Sequence, residues 1–228
     1  MLPRAFRMFS LAVAMALAAG LPPALAQQAR TVQTTEGSDY FGFDLRAEQN
    51  VTLEDCKSAC LADTGCRAFT YNTKAKWCFL KSDFATLKPF AGAIAGKVVP
   101  VDGDPDIGAP PELSFVPAWI ADEARQLRTT VTSGTIAEGQ GLGSLTQAAE
   151  TASLTGVPRT AETNYKAALA ISPDDGGLWI DLARASLAIS PANSTESADL
   201  PGQATAAAWN AYRLQRTAAS RAEALAVL

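Results

Sequence analysis

The order of apolar and polar residues divides the chain into three stretches with different periods. A run of almost entirely apolar residues occupies 9–21. Residues 39–99 contain short runs in which apolar and polar side chains alternate, as in half-buried strands. From residue 113 onward, small and apolar residues recur every three or four positions, as in amphipathic helices. The pattern therefore predicts an α+β unit followed by an all-α region.

The first 26 residues have the features of a signal peptide. Arg4 and Arg7 precede the apolar run, and small residues stand at the expected cleavage positions 24–26. The run is shorter than the roughly 18 apolar residues that a membrane helix needs. We therefore expect export to the periplasm or the extracellular space, with membrane contact only through the signal peptide. An uncleaved anchor is the alternative.

All four cysteines lie within residues 52–82, as Cys56, Cys60, Cys66 and Cys78. In an exported protein such a group normally forms disulfides, whereas in the cytosol it would indicate zinc. Structural zinc sites usually contain two closely spaced cysteine pairs, and here only the first two cysteines are close. The sequence therefore favours two disulfides, with a zinc site as the alternative.

The spacing of the cysteines favours one of the three pairings that four cysteines allow. Cys56 and Cys60 are one helical turn apart, so a bond between them would fit disulfide geometry poorly. We expect Cys56–Cys78, which ties the start of a helix to the second strand of a hairpin. Cys60–Cys66 would then tie the end of that helix to the first strand. Each closure should stabilise the fold by roughly 2–3.5 kcal/mol.

The segments around the cysteines predict a helix and a small sheet. Thr52 caps the helix, Asp55 supports its first turn, and Gly65 allows the chain to leave it. A polar turn at 72–76 predicts a hairpin. The predicted strands are 39–45, 66–71, 77–81 and 93–99.

The same residues resemble the PAN/Apple domain, in its bacterial four-cysteine version. The resemblance is carried by C-x3-C-x5-C-x-A-F-T-Y-N and W-C-x-L-K-S between residues 56 and 82, preceded by D-Y-F-G-F-D-L at 39–45. It implies a disulfide-linked helix on a small antiparallel sheet over residues 36–99. It also implies a role in binding protein or carbohydrate without catalysis. The outer third disulfide of longer Apple domains is absent.

Aromatic and basic side chains in this unit are the candidate ligand contacts. The candidates are Arg67, Tyr71, Lys76 and Trp77, with Phe69, Lys74 and Phe79 beside them. Aromatic residues on one face of a strand are more often core residues than ligand contacts. The sequence therefore names candidates without defining a site.

Residues 100–112 read PVDGDPDIGAPPE, an acidic stretch rich in Pro and Gly. This composition predicts a linker between two separately folding units. Residues 27–100 hold nine basic and eight acidic groups, for a net charge of +1, and residues 101–228 hold eight and 15, for −7. Without a basic patch, nucleic acid and anionic membranes are not expected partners.

The region after the linker, 113–228, is predicted to be helical. The first helical spacing is that of Ile120, Ala124, Leu127 and Val131. The next residues resemble a tetratricopeptide repeat, whose period is about 34 residues. The second helix of one repeat is matched by Ala161, Tyr165, Ala168, Leu169 and Pro173. The first helix of the following repeat is matched by Trp179, Leu182 and Ala183.

The same register extends in both directions from Trp179. One period earlier lie Leu145, Ala148 and Ala149. After an insertion at 193–203 come Ala204, Ala208, Ala211 and Tyr212, and then Ala222, Leu225 and Ala226. The third repeat would have one helix only. The last helix is then either a cap or a sign that the chain is cut from a longer protein. An Ala-rich bundle without repeats is the alternative.

Catalysis is not expected from this sequence. The chain has no histidine, and its cysteines are assigned to disulfides. Asp174 and Asp175 stand where a helix cap is usual. The Gly-rich segment 139–143 does not follow a strand and lacks the lysine of a phosphate loop. We expect no catalytic residue, no metal and no cofactor.

Together these features predict an exported, non-catalytic interaction protein. The PAN/Apple unit would bind a protein or a glycan, and the helical repeats would bind a peptide or a neighbouring domain. As an alternative, the whole layout resembles the N-terminal part of bacterial alpha-2-macroglobulin-like proteins, which are exported endopeptidase inhibitors. Their macroglobulin domains, bait region and thioester motif are absent, so inhibition itself would not reside in this segment.

Overall fold

The computed structural model describes residues 30–101, 112, 117–189, 200–215 and 217–228. The predicted signal peptide lies outside these residues, as do most of the predicted linker and most of the predicted insertion at 193–203. None of the helices in this part of the chain has the length and apolarity needed to cross a membrane.

Five strands and one helix form the N-terminal unit. In chain order they are β1 (Arg30–Asp39), β2 (Asp44–Gln49), α1 (Leu53–Ala62), β3 (Ala68–Asn72), β4 (Trp77–Lys81) and β5 (Lys88–Pro100). The strands make one sheet in the order β1-β5-β3-β4-β2, and every neighbouring pair is antiparallel. The predicted helix on an antiparallel sheet is therefore confirmed.

The prediction of a strand at 39–45 is wrong. The backbone φ is +83° at Gly42 and +58° at Phe43, so the chain turns there between β1 and β2. Lys81 is buried and holds this turn, because its Nζ donates to the Gly42 carbonyl at 2.9 Å and to the Asp44 carboxylate at 2.7 Å. Strand β1 was not predicted, since its sequence RTVQTTEGSD has almost no apolar alternation.

Helix α1 covers one face of the sheet, called here the inner face. Its N-terminus is a capping box, in which the Thr52 hydroxyl accepts the Asp55 N–H at 3.1 Å and the Asp55 carboxylate accepts the Thr52 N–H at 3.0 Å. Hydrogen bonds from the Thr52 side chain and backbone lower the pKa of Asp55. The core beneath the helix consists of the four cysteines with Phe69, Tyr71 and Leu80.

Glycine at position 96 is required by the packing of this core. A Cβ atom at Gly96, on β5, would lie 2.3 Å from the Phe69 ring on the neighbouring strand. No side chain fits at that distance, so the absence of a side chain allows Phe69 to be fully buried.

Six helices form the C-terminal region within the described residues. They are α2 (Ala118–Thr132), α3 (Leu142–Leu154), α4 (Pro158–Ile171), α5 (Gly176–Ala188), α6 (Leu200–Leu214) and α7 (Ala218–Leu225). From α3 to α7 each helix packs against the next one in sequence, and α2 packs against α6 and α4. The predicted helical region is confirmed at this level.

The core of the helical region combines a few large side chains with many alanines. Trp179 is fully buried, and its Nε1 donates to the Pro173 carbonyl at 2.9 Å. Tyr165, Leu169 and Tyr212 are buried around it. Small residues allow the helices to approach closely, and the large side chains fill the space that remains.

Four of the positions chosen from the repeat register are wrong, because they are exposed. These are Ala148 on α3 and, at the end of the chain, Ala222, Leu225 and Ala226. In the last helix Ala224 is buried instead. Helix α7 packs mainly on α6, so only a narrow face of it is covered.

Candidate functional site

Two buried disulfides fix α1 to the hairpin of β3 and β4. Cys56–Cys78, the long-loop disulfide, spans 22 residues with a Cα–Cα distance of 5.5 Å. Cys60–Cys66, the short-loop disulfide, spans six residues with a Cα–Cα distance of 5.2 Å. These are the pairs that the sequence favours. Since each cysteine is bonded to another cysteine, the alternative of a zinc site is wrong.

The outer face of the sheet, opposite α1, is crossed by the chain that follows β1. The Tyr40 N–H donates to the Thr70 hydroxyl at 3.2 Å, and that hydroxyl donates to the Asp39 carboxylate at 2.5 Å. The Tyr40 ring lies 5.0 Å from the Phe84 ring. Tyr40, Ala68, Phe84 and Ala95 form a small apolar cluster, called here the outer cluster.

The helical region docks on this outer cluster. Leu142, at the start of α3, and Ile171, at the end of α4, both pack against it. The main-chain N–H of Leu142 donates to the Phe84 carbonyl at 2.8 Å. The two units are therefore in direct contact, which the composition of the predicted linker does not indicate.

Asp83 caps α3 from the other side of this junction. The residue before α3 is Gly141, which has no side chain to cap the helix. One carboxylate oxygen of Asp83 accepts the Gly143 N–H at 2.7 Å, and the other accepts the Ser144 N–H at 3.0 Å. Together with the Leu142–Phe84 bond, these bonds satisfy the free N–H groups of the first helical turn. Asp83 itself is buried, with 8% of its surface exposed.

The Gly-rich segment before α3 makes room for this arrangement. A Cβ atom at Gly141 would lie 2.4 Å from the Asp83 carboxylate, and one at Gly143 would lie 2.9 Å from the Arg67 guanidinium. Both distances are shorter than any normal van der Waals contact. The Gly-rich segment 139–143, considered above as a phosphate loop, therefore allows the two units to approach closely.

The structure does not bring the four predicted ligand contacts together. Tyr71 is buried on the inner face, where its hydroxyl donates to the Val51 carbonyl at 3.0 Å, so it is a core residue and not a surface contact. Arg67 lies at the junction, against Gly143. Lys76 and Trp77 are at the opposite end of the hairpin, at the β3–β4 turn.

An exposed aromatic surface remains at this turn. Trp77 is 37% exposed, and its ring lies 6.0 Å from the half-buried Phe79 on the same strand. Phe90, on β5, is 48% exposed. The β3–β4 turn contacts β5 through Thr73, whose N–H and hydroxyl both donate to the Gly92 carbonyl at 2.9 Å. The turn with Trp77, Lys76 and Phe90 is called here the turn surface.

A pocket of about 580 Å³ lies on the outer face beside the junction. Its walls are formed by β1, β5, the segment after Phe84, and Ile171 of α4. Tyr40 contributes to its lining, and burial raises the pKa of Tyr40 to about 12. The sequence did not indicate this pocket, because its polar residues on β1 belong to a strand without an apolar pattern.

A second titratable group is perturbed in the helical region. Burial raises the pKa of Asp181 on α5, and the nearby carboxylates of Glu150, Asp175 and Glu223 raise it further, whereas Arg184 lowers it. Arg184 also forms an ion pair with Glu223 at 2.5 Å. These groups leave α3, α5 and α7 with an acidic surface.

The N-terminal unit is thus a small disulfide-stapled α+β domain, of a class that forms in oxidising compartments outside the cytosol. Residues 31–93 match the family model of the PAN domain. The match covers the sheet and α1 up to the middle of β5, so the chain carries a PAN domain followed by a helical region. No curated protein matches the chain. The disulfides and the PAN domain indicate an exported or extracellular protein.

Proposed function

We propose that this chain is an exported, non-catalytic interaction protein. Its PAN domain binds a protein or carbohydrate ligand, and its helical region carries that domain in a fixed orientation. The observation that carries the proposal is the match of residues 31–93 to the PAN domain, a kind of domain that generally mediates such binding. The predicted signal peptide at 1–26 supports export.

The fixed orientation is supported by the junction. The cap from Asp83 and the packing of Leu142 and Ile171 join the two units by both hydrogen bonds and apolar contacts. A rigid attachment reduces the entropy lost when a ligand contacts both units.

The turn surface is the proposed protein-binding part of the PAN domain. It presents the exposed ring of Trp77 beside Lys76, at the opposite end of the β3–β4 hairpin from Arg67 and the junction, and the exposed ring of Phe90 on β5. Tryptophan is among the residue types that contribute most to binding energy at protein interfaces. This assignment retains Lys76 and Trp77 from the sequence-derived candidates.

For the helical region we propose a tetratricopeptide-like arrangement that binds a peptide or a neighbouring domain. Support comes from the sequential packing of α3 to α6 and from the burial of Tyr165, Leu169, Trp179 and Leu182, which match the repeat pattern. The alternative proposal is that the chain forms the leading segment of a bacterial alpha-2-macroglobulin-like inhibitor. That alternative rests on the order of segments, and a continuing reading frame rich in β-domains would support it.

The proposal is tested by a binding screen of the purified chain with both disulfides formed. The chain is applied to arrays of glycans and of bacterial envelope proteins, and bound ligands are titrated again after reduction and alkylation of the cysteines. We expect saturable binding that reduction abolishes, with the ligand recovered unchanged. Absence of any ligand at high concentration, or chemical conversion of the bound molecule, would contradict the proposal.

A further inference from the structure

The pocket beside the junction has a lining suited to a polar ligand. Its hydrogen-bonding side chains come from two adjacent strands and from the segment after Phe84, as Gln33, Thr35, Thr86 and Lys97. Gln33 and Lys97 lie directly opposite each other in the β1–β5 pair, so both are on the face that carries Tyr40. The volume of about 580 Å³ is within the range of small-molecule sites, about 300–1,000 Å³.

Tyr40 brings a buried polar group to this pocket. The residue is 5% exposed, and its ring packs in the outer cluster. Among the described residues, its hydroxyl has no hydrogen-bond partner, although its main-chain N–H has one in Thr70. A buried hydroxyl without a partner costs free energy, and buried tyrosine hydroxyls usually have one. A ligand in the pocket would supply that partner.

Lys97 is the only charged residue among those that line the pocket in the described part of the chain. It is half-buried, and no carboxylate of the described residues pairs with it. A single unpaired ammonium group among neutral hydroxyl and amide groups favours an anionic ligand that places one carboxylate against it. The apolar part of the lining, including Leu87 and Ile171, suits the flat apolar face of a sugar ring.

We propose that this pocket binds an acidic saccharide, with its carboxylate on Lys97 and its hydroxyl groups on Tyr40, Thr35 and Gln33. The proposal rests on the proposed function, since it names one ligand class of the PAN domain. Ile171 of α4 forms part of the wall, so the complete pocket exists only when the helical region is docked. Binding and docking should therefore stabilise each other.

The test uses the whole chain with both disulfides formed and titrates it calorimetrically with trigalacturonate. The matched probe is the methyl ester of the same trisaccharide, which has no charge. Lys97→Gln removes the ammonium group, and Tyr40→Phe removes only the hydroxyl. Lys57→Gln, on α1 and therefore on the face of the sheet opposite the pocket, is the control for a general loss of positive charge. Thermal unfolding of each variant shows whether the fold is retained.

We expect trigalacturonate to bind and the ester to bind at least tenfold more weakly, since bonds to charged groups are the stronger ones. Lys97→Gln should weaken trigalacturonate binding by about tenfold or more and remove the preference over the ester. Tyr40→Phe should weaken the binding of both probes by about two- to tenfold, and Lys57→Gln should leave it unchanged.

Three results would overturn the inference. Equal binding of the acid and the ester would remove the role of charge. Binding that Trp77→Ala abolishes and Lys97→Gln does not would place the ligand at the turn surface, and the proposed function would stand. Protein ligands captured in the screen, with neither saccharide bound in the titrations, would likewise reject the pocket while leaving the interaction role intact.

Discussion

Replacing Asp83 with alanine removes the carboxylate that caps α3 and tests the junction directly. The carboxylate accepts two N–H groups of the first turn of α3, at 2.7 and 3.0 Å, in a buried position. Loss of a helix cap costs about 0.5–2 kcal/mol, and each buried donor left without an acceptor costs about 1–3 kcal/mol. Because water can reach part of the opened site, we expect a loss of about 2–4 kcal/mol in the free energy of unfolding.

The assay is urea unfolding followed by tryptophan fluorescence, together with amide hydrogen exchange at Gly143 and Ser144. In Asp83→Ala both amides should exchange faster, since neither keeps its acceptor. Asp83→Asn should be intermediate, because the amide side chain has one acceptor oxygen in place of two.

Asp122→Ala is the matched control for this substitution. Asp122 is exposed on α2 and, within the described part of the chain, pairs only with Arg125 on the same helix, so its replacement should change stability by less than about 0.5 kcal/mol. Equal unfolding free energies for Asp83→Ala and Asp122→Ala, with unchanged exchange at both amides, would refute the account of the junction.

Four further predictions address the core and the titratable groups. Gly96→Ala places a Cβ atom 2.3 Å from the Phe69 ring, so it should destabilise the PAN domain by at least about 1–3 kcal/mol in urea unfolding; wild-type stability would show that the ring can move at little cost. Replacing both cysteines of the long-loop disulfide by serine should lower the free energy of unfolding by about 3.4 kcal/mol, and the same change at the short-loop disulfide by about 2.2 kcal/mol, because the longer loop restricts the unfolded chain more. Calorimetry that finds the reverse order would contradict this explanation. The pKa of Tyr40 is raised to about 12 in the folded protein, so between about pH 10 and pH 12 this group ionises in the unfolded chain and stays neutral in the folded one. The free energy of unfolding should therefore fall across this pH range. In Tyr40→Phe that part of the decline should be absent from the pH dependence of unfolding. Asp181→Asn should stabilise the helical region at pH 7, since the raised pKa of Asp181 means that its negative charge is unfavourable in the folded protein. The gain in unfolding free energy should vanish as the pH falls below about 4, where the carboxyl group is neutral in both states. A gain that persists at pH 3 would indicate a cause other than charge.

Local signals in the sequence were sufficient to predict the helix, the hairpin and the disulfides at the centre of the PAN domain. The capping box of Thr52 and Asp55, the turn at 72–76 and the spacing of the cysteines each involve residues close together in sequence, and each is present in the structure. The resemblance to the PAN/Apple domain rested on these same residues.

Contacts between residues far apart in the chain could not be predicted from such local signals. Strand β1 is held by pairing with β5, about 60 residues away, and its own sequence is mostly polar. The cap of α3 by Asp83 joins residues 60 positions apart, so a glycine at the helix start gave no indication of it. The prediction of Tyr71 as a ligand contact was wrong for a related reason, since its burial depends on α1, which packs over that face of β3 but lies on a different segment of the chain.

The repeat register was informative where helices have neighbours on both sides. Trp179 and Leu182 are buried as expected, between α4 and α6. At the last helix the same spacing indicated the wrong positions, because burial there depends on what packs against α7 and not on its sequence alone.

The central claim is that the PAN domain is the ligand-binding part of this chain. The most direct test is to titrate an isotope-labelled, disulfide-bonded chain with a ligand from the binding screen and to follow the amide chemical shifts. We expect the shifted amides to cluster within residues 31–93, on the outer face or the turn surface. Shifts confined to helices α2–α7, with the PAN amides unmoved, would contradict it.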